Sequence, residues 1–286
     1  MQTINYYLIA NRCFGVEGED LVQAIKEMPG FSPFETDDSS TPTFWIKEAS
    51  GLPVPSVFHQ QYTFECDGVS SVFSSTSNGY FLQMKHDDNS HLHLWSDTQA
   101  RTIFMEGNFM PQMLRFALWT AYGIMSVNSG KIPIHGSCIV NNERAYLFLG
   151  ESGTGKSTHT RLWRQYIEGS VLLNDDSPII SVEDDGVFIY GSPWSGKTPC
   201  YKQERYPLCG CVRLSQAPFN KIQRQSILNA YAALHPSCPP EFAYDETLYA
   251  GISKSLDGIL GQVPIYRLAC LPDEAAARLS YETISK

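Results

Sequence analysis

The stretch "AYLFLGESGTGKSTHTRLWRQYI", residues 145 to 167, limits the fold more than any other part of the chain. An apolar run that reads as a strand enters the octet Gly150-Glu151-Ser152-Gly153-Thr154-Gly155-Lys156-Ser157. A helical pattern follows, with Leu162, Trp163, Tyr166 and Ile167 on one side. Glycines at this spacing let the backbone turn its amides inward around phosphate oxygens, and the helix adds its positive N-terminal end. Lys156 is expected to reach the outer phosphates and Ser157 to offer its hydroxyl to Mg2+, with Thr158 beside them in the nucleotide site. A strand, loop and helix of this kind belong to an α/β domain.

The flanking segments bring further chemistry to the loop. "KIPIHGSCIV" and "RAYLFLG" are apolar runs separated by Asn141, Asn142 and Glu143, which accept a tight reversal, so the loop's strand has an antiparallel neighbour immediately before it. A regular hairpin places His135 opposite roughly Leu149, beside the phosphates. The next strand, "SVLLNDDSPII", carries Asn174, Asp175 and Asp176 at its carboxyl end; paired in parallel with "AYLFLG", it delivers those carboxylates beside the loop. Successive side chains on a strand face opposite ways, so both are useful only if the chain bends, and Ser177-Pro178 supplies the bend. Two readings stay open: one Asp binds metal while the other caps a turn, or one binds Mg2+ while the other takes a proton from an incoming hydroxyl. A hairpin turning at Asp185-Gly186 follows. The loop 191–201 then presents Lys197, either as a contact to a phosphate or an acidic acceptor, or as an ordinary surface lysine.

The rest of the chain suggests two domains. Residues 1–105 alternate stretches such as "YFLQMKH" and "HLHLW" with Asn, Asp, Gly and Ser turns, which predicts a smaller, mostly antiparallel β domain with one or two helices, one over 18–28. A helix over 111–127, opened by Pro111, bridges into a second domain spanning 106–286. With 286 residues, 43% of them hydrophobic, the chain has material for real cores. A net charge of −9 and no run of Lys or Arg disfavour a nucleic-acid partner. Eight cysteines without framework spacing read as reduced thiols in a cytoplasmic protein. The start lacks the pattern of a secretory signal, and the most apolar stretch, 116 to 127, is too short to span a membrane, so no membrane partner is expected.

"HGSCIV", "GESGTGKS" and "LLNDDSPII", in this order and spacing, resemble the catalytic domain of HPr kinase/phosphorylase, whose core is shared with phosphoenolpyruvate carboxykinase. The resemblance covers residues 131 to about 200 and, more loosely, "PLCGCVRLSQAPFNKI" and "PIYRLACLP". It implies a P-loop kinase domain that binds ATP and Mg2+ through Gly150 to Ser157, with His135 beside the reacting groups. It also implies that Asp175 is the base and Asp176 the magnesium partner, two assignments that are exchangeable at this stage. The activity implied is transfer of the γ-phosphate to a hydroxyl on a protein serine, a peptide or a small molecule; relatives form oligomers. The segment that family uses for dephosphorylation has no counterpart after Asp176. A carboxykinase reading would need a basic pocket, for which Lys197, Lys202 and Arg205 are the nearby cations, and a non-catalytic ATP-binding regulator is the third reading.

Other polar residues carry plainer expectations. His91 and His93 read as a solvated strand face, Cys209 and Cys211 as one face of a strand, His159 as a surface residue, and Asp184-Asp185 as a hairpin tip.

Overall fold

The structure, a computed structural model, describes residues 3–37, 41–52, 59–66, 68–196 and 198–286. It is a mixed α/β chain that divides into two units, Met1–Ser126 with Glu241–Tyr249, and Val127–Pro240 with Ala250–Lys286. The boundary differs from the expected 105/106: the helix read as opening the second domain belongs to the first unit, and so does a short segment from far along the sequence.

The first unit is built on one eight-stranded sheet. In chain order its elements are β1 (Ile4–Ile9), β2 (Arg12–Glu17), α1 (Glu19–Glu27), β3 (Phe44–Glu48), β4 (His59–Cys66), β5 (Val69–Ser75), β6 (Gly79–His86), β7 (His91–Asp97), β8 (Thr102–Gly107) and α2 (Pro111–Ser126). The strands lie in the order β1-β2-β3-β8-β7-β6-β5-β4. Pairing is parallel between β2 and β3 and between β3 and β8, and antiparallel elsewhere. Alternation along the strands buries residues such as Phe73, Phe81, Leu94 and Met105, while α1 buries Leu21, Val22 and Ile25 and α2 buries Leu114, Leu118 and Tyr122. The segment 241–249 joins this unit through Phe242, whose ring faces Phe73 at 6.3 Å, and through Asp245. One Asp245 oxygen accepts from the amides of Thr247 and Leu248, both at 3.0 Å, and from the Tyr80 hydroxyl at 2.8 Å. That is an N-terminal cap, and it fixes where the next long helix starts.

The second unit contains β9 (Lys131–Pro133), β10 (Gly136–Asn141), β11 (Arg144–Leu149), α3 (Lys156–Tyr166), β12 (Val171–Asp176), β13 (Ile179–Glu183), β14 (Gly186–Tyr190), β15 (Arg205–Gln216), β16 (Lys221–Arg224), α4 (Ile227–Leu234), α5 (Glu246–Gln262), β17 (Ile265–Cys270) and α6 (Glu274–Ile284). The first residues of α5 belong to the first unit. The strand path is β12-β10-β11-β15-β14-β13-β9, with β17 between β15 and β16. β11 runs parallel to β15, and β15 parallel to β17. The β10–β11 hairpin closes through Asn142 (φ 51) and Glu143 (φ 58), two consecutive left-handed residues, so its turn has the hand that matches strand twist.

Three strand expectations need correction. "KIPIHGSCIV" is two strands, β9 on β13 and β10 on β11, with the chain switching partner at Ile134 and His135. β12 does not pair with β11; it lies antiparallel to β10 and points the same way as β11 only through that intermediary. The β13–β14 loop is Asp184-Asp185, because Glu183 already pairs with Gly186.

α3 and α6 supply the apolar layer over this sheet: Phe148, Leu162, Trp163, Leu172, Val212, Leu268 and Ile284 form one buried cluster. Each fully buried Leu or Phe contributes roughly 1.5–3 kcal/mol relative to exposure. The indole Nε1 of Trp163 donates to Ser280 Oγ at 2.8 Å, which ties the helix after the glycine loop to α6. Among the described residues, no helix is long and apolar enough to cross a membrane.

Candidate active site

The glycine loop leaves β11 through Gly150, whose φ of 151 suits a residue without a side chain. A Cβ there would lie 2.4 Å from Thr154 Oγ1, and that hydroxyl donates to the Glu151 carbonyl at 2.8 Å, closing the loop on itself. At Gly153 and Gly155, both left-handed, a Cβ would meet nothing within 4 Å. The loop is thus closed on its own side and open on the other. Gly155, left-handed, caps α3 without a side chain, so the first amides of the helix have no side-chain partner. Lys156 Nζ donates to the carbonyls of Gly150 (2.8 Å) and Glu151 (3.2 Å). Burial holds its pKa below the usual lysine range, while Asp176, Glu151 and Asp175 pull it back up.

A cavity of about 330 Å³ opens on that side, lined by His135, Ser152, Lys156, Ser157, Asp175 and Asp176 among others. Gly153, Gly155 and Thr158 also reach it. The fold therefore brings together most of the residues expected at the site. Gly150 and Thr154 form the closing turn, Thr154 lining instead the neighbouring cavity on the α6 side, and Glu151 turns away into an ion pair with Arg213. Lys197 lies outside the described residues. Of the other nearby cations, Lys202 pairs with Glu204 at 3.8 Å, and Arg205 stacks on the Phe188 ring and pairs with Glu183. Neither lines the cavity.

The two aspartates occupy different environments. Asp175 is 4% exposed and pairs across the ladder with Ser137. The Ser137 hydroxyl donates to Asp175 Oδ1 at 2.7 Å, and Oδ2 is buried without a hydrogen-bond partner. Asp176 faces the mouth, its side chain 40% exposed, with Oδ1 3.2 Å from His135 Nδ1. The bend that lets both carboxylates serve one cavity is made by Asn174. Its Oδ1 accepts from the amides of Asp176 (3.0 Å) and Ser177 (2.9 Å). Its amide in turn donates to Ser192 Oγ and the Trp194 carbonyl, both at 3.1 Å. Gly196 closes this side, its amide donating to the Asp175 carbonyl at 3.0 Å.

Several of these residues carried no clear signal in the sequence. Ser137, Thr160 and Arg213 reach the site only through strand register and helix packing, whereas Asn174 before two aspartates is a readable side-chain turn. His159 is corrected: it is 2% exposed, its ring lies 4.6 Å from that of Phe148, and Nε2 is 2.9 Å from Ser280 Oγ. Burial lowers its pKa to about 4, so it stays neutral. His91 and His93 share one face of β7, and no cluster of three or more metal-ligating side chains occurs among the described residues. β15 has a register shift at Cys209, which lies partly buried against the α3–α6 cluster, while Cys211 is fully buried.

A second cavity, of about 610 Å³, adjoins the loop on the α6 side. It shares Gly153, Gly155 and Thr158 with the first and is otherwise walled by groups such as Leu162, Leu214 and Leu271.

No family model matches the chain, and no curated protein matches it. Among solved structures, the Hpr(Ser) kinase/phosphatase from Coxiella burnetii is similar over 54% of this chain and 88% of that one, at 13% sequence identity and a TM-score of 0.32.

Proposed function

We propose that the chain is an ATP- and Mg2+-dependent phosphotransferase that moves the γ-phosphate to a hydroxyl of a protein, a peptide or a small molecule. The observation that carries this reading is the meeting, in one cavity, of the glycine loop and Lys156 with a buried carboxylate that has one unpaired oxygen. The motif resemblance to HPr kinase supports the same reading. A protein that only sensed nucleotide would have no use for that carboxylate.

The residues fit the proposed ligands. The empty space over Gly153 and Gly155 and the uncapped first turn of α3 suit phosphate oxygens. Ser157 and Asp176 offer the hard oxygen donors that Mg2+ takes. When bound there, the ion supplies charge neutralisation to the phosphates. The larger cavity, mostly apolar and continuous with the loop, has room for the nucleoside.

The chain's own part follows. Lys156 exchanges its contacts with the Gly150 and Glu151 carbonyls for phosphate oxygens, so no new charge has to be buried. His135 holds Asp176 at the mouth. Asp175 Oδ2 takes the proton of the acceptor hydroxyl while the acceptor oxygen bonds to the γ-phosphorus. The bond to the β–γ bridging oxygen breaks, and its electron pair leaves on ADP.

The test is transfer of labelled γ-phosphate from MgATP to lysate proteins and to a pool of hydroxyl metabolites. Label is expected on a discrete acceptor and is expected to be absent with Lys156→Ala, which also weakens ATP retention. Tight ATP binding without transfer to any acceptor would overturn the kinase reading in favour of a regulator.

A further inference from the structure

Asp175 is held by a short chain of hydroxyls. Ser137 Oγ lies 2.7 Å from Asp175 Oδ1 and 3.0 Å from Thr160 Oγ1, and Ser137, Thr160 and Asp175 are all at least 95% buried. The Ser137 hydroxyl donates to Asp175 Oδ1, so its single hydrogen is spent there. Ser137 then has only lone pairs left for Thr160, whose hydroxyl donates to it. The direction of the chain is thus fixed: Thr160 to Ser137 to Asp175. The alternative acceptors for Thr160, the carbonyls of Ser157 at 3.2 Å and Lys156 at 3.4 Å, are more distant.

The three residues come from different elements. Ser137 and Asp175 are cross-strand partners on β10 and β12, and Thr160 sits on α3 one turn beyond Lys156. A carboxylate held through one oxygen has its orientation fixed, and here the other oxygen, Oδ2, is buried with no partner of its own. We propose that Ser137 and Thr160 are positioning residues that lock Asp175 to the phosphate-binding helix, so that its carboxylate keeps a fixed distance from the γ-phosphate. This rests on the kinase reading. It adds that the base is referenced to the helix that holds the donor, so that donor and base keep one geometry when the acceptor enters. Without that lock, Asp175 would still be present but its carboxylate would no longer be held at Oδ1, and transfer would lose the alignment on which proximity effects depend.

The experiment measures steady-state transfer from MgATP to the acceptor found by labelling. It compares Ser137→Ala, Thr160→Val and Thr160→Ser, each also combined with Asp175→Asn, with thermal midpoints recorded alongside. Ser137→Ala is expected to lower kcat roughly 10- to 100-fold with the KM for ATP within about twofold. Thr160→Val, which keeps shape but removes the hydroxyl, shifts kcat in the same direction, and Thr160→Ser restores it. Because the groups act in series, the Ser137→Ala, Thr160→Val double variant is no slower than Ser137→Ala alone, and neither change costs anything further once Asp175 is Asn. An unchanged kcat in a folded Ser137→Ala protein, or a loss that persists in full on the Asp175→Asn background, overturns the proposal while leaving the kinase reading intact. A wild-type protein that transfers nothing to any acceptor removes the kinase reading, and this proposal with it.

Discussion

Asp175→Asn is expected to leave ATP bound with near wild-type affinity and to slow phosphoryl transfer roughly 100- to 10,000-fold, the span over which general-base catalysis operates. The substitution is nearly isosteric in a pocket where the side chain is 4% exposed. The amide oxygen can keep the Ser137 bond now made by Oδ1, so the strand register has no reason to change. What alters is the other position. An unpaired carboxylate oxygen becomes an NH2, which donates and has no lone pair with which to take a proton. Asp176→Asn should behave differently. Its side chain stands half in solvent beside His135, so the loss there should be a raised Mg2+ requirement, partly recovered at high Mg2+. Transfer kinetics against Mg2+ concentration separate the two. If instead Asp175→Asn is Mg2+-rescuable and Asp176→Asn is not, the two roles must be exchanged.

What the sequence disclosed about this site was local, and what it hid was not. The octet, the strand before it and the helix after it are set by residues within one turn or one strand length, and glycine spacing alone carries that information. The β10–β11 hairpin was legible for the same reason, since Asn and a short polar loop accept left-handed backbone. Strand order was hidden: β12 is read easily as a strand, but its partner, β10 rather than β11, is chosen by contacts that sequence spacing does not encode. That error was harmless for the carboxylates, because two successive antiparallel pairings point β12 the same way as a parallel one would. His159 is the instructive failure. It stands four residues before Trp163 and three before Leu162, so it lies on the apolar face of α3, and periodicity outweighed polarity. Its partner Ser280 is 121 residues away. The return of 241–249 to the first unit was invisible for a similar reason, since it depends on Asp245 meeting Tyr80 from the far side of the sequence.

The same segment yields the largest expected effect on stability. Glu241 is 1% exposed; one carboxylate oxygen accepts from the Thr120 hydroxyl at 3.5 Å, and the other has no partner. Burial raises its pKa to about 7, against a helping contribution from its own backbone amide and Thr120. A folded-state pKa above the unfolded value means that the native protein binds the extra proton. The stabilisation is fully present below about pH 4.5 and is lost as pH rises through about 7, a total of roughly 3 kcal/mol. His159 works in the opposite sense: its folded pKa lies near 4, so its contribution falls as pH drops from about 6.5 toward 4. Because the two windows overlap, the stability curve of the wild-type chain alone is blunted, and the informative quantity is a difference. Glu241→Gln keeps the shape and cannot ionise, so denaturant midpoints of wild type and variant should diverge between pH 5 and pH 8, the variant gaining roughly 3 kcal/mol relative to wild type across that interval. The divergence should appear in the transition of the first unit, followed through the exchange protection of the α2 amides around Thr120. A difference that stays constant with pH would mean that Glu241 is already ionised in the folded protein.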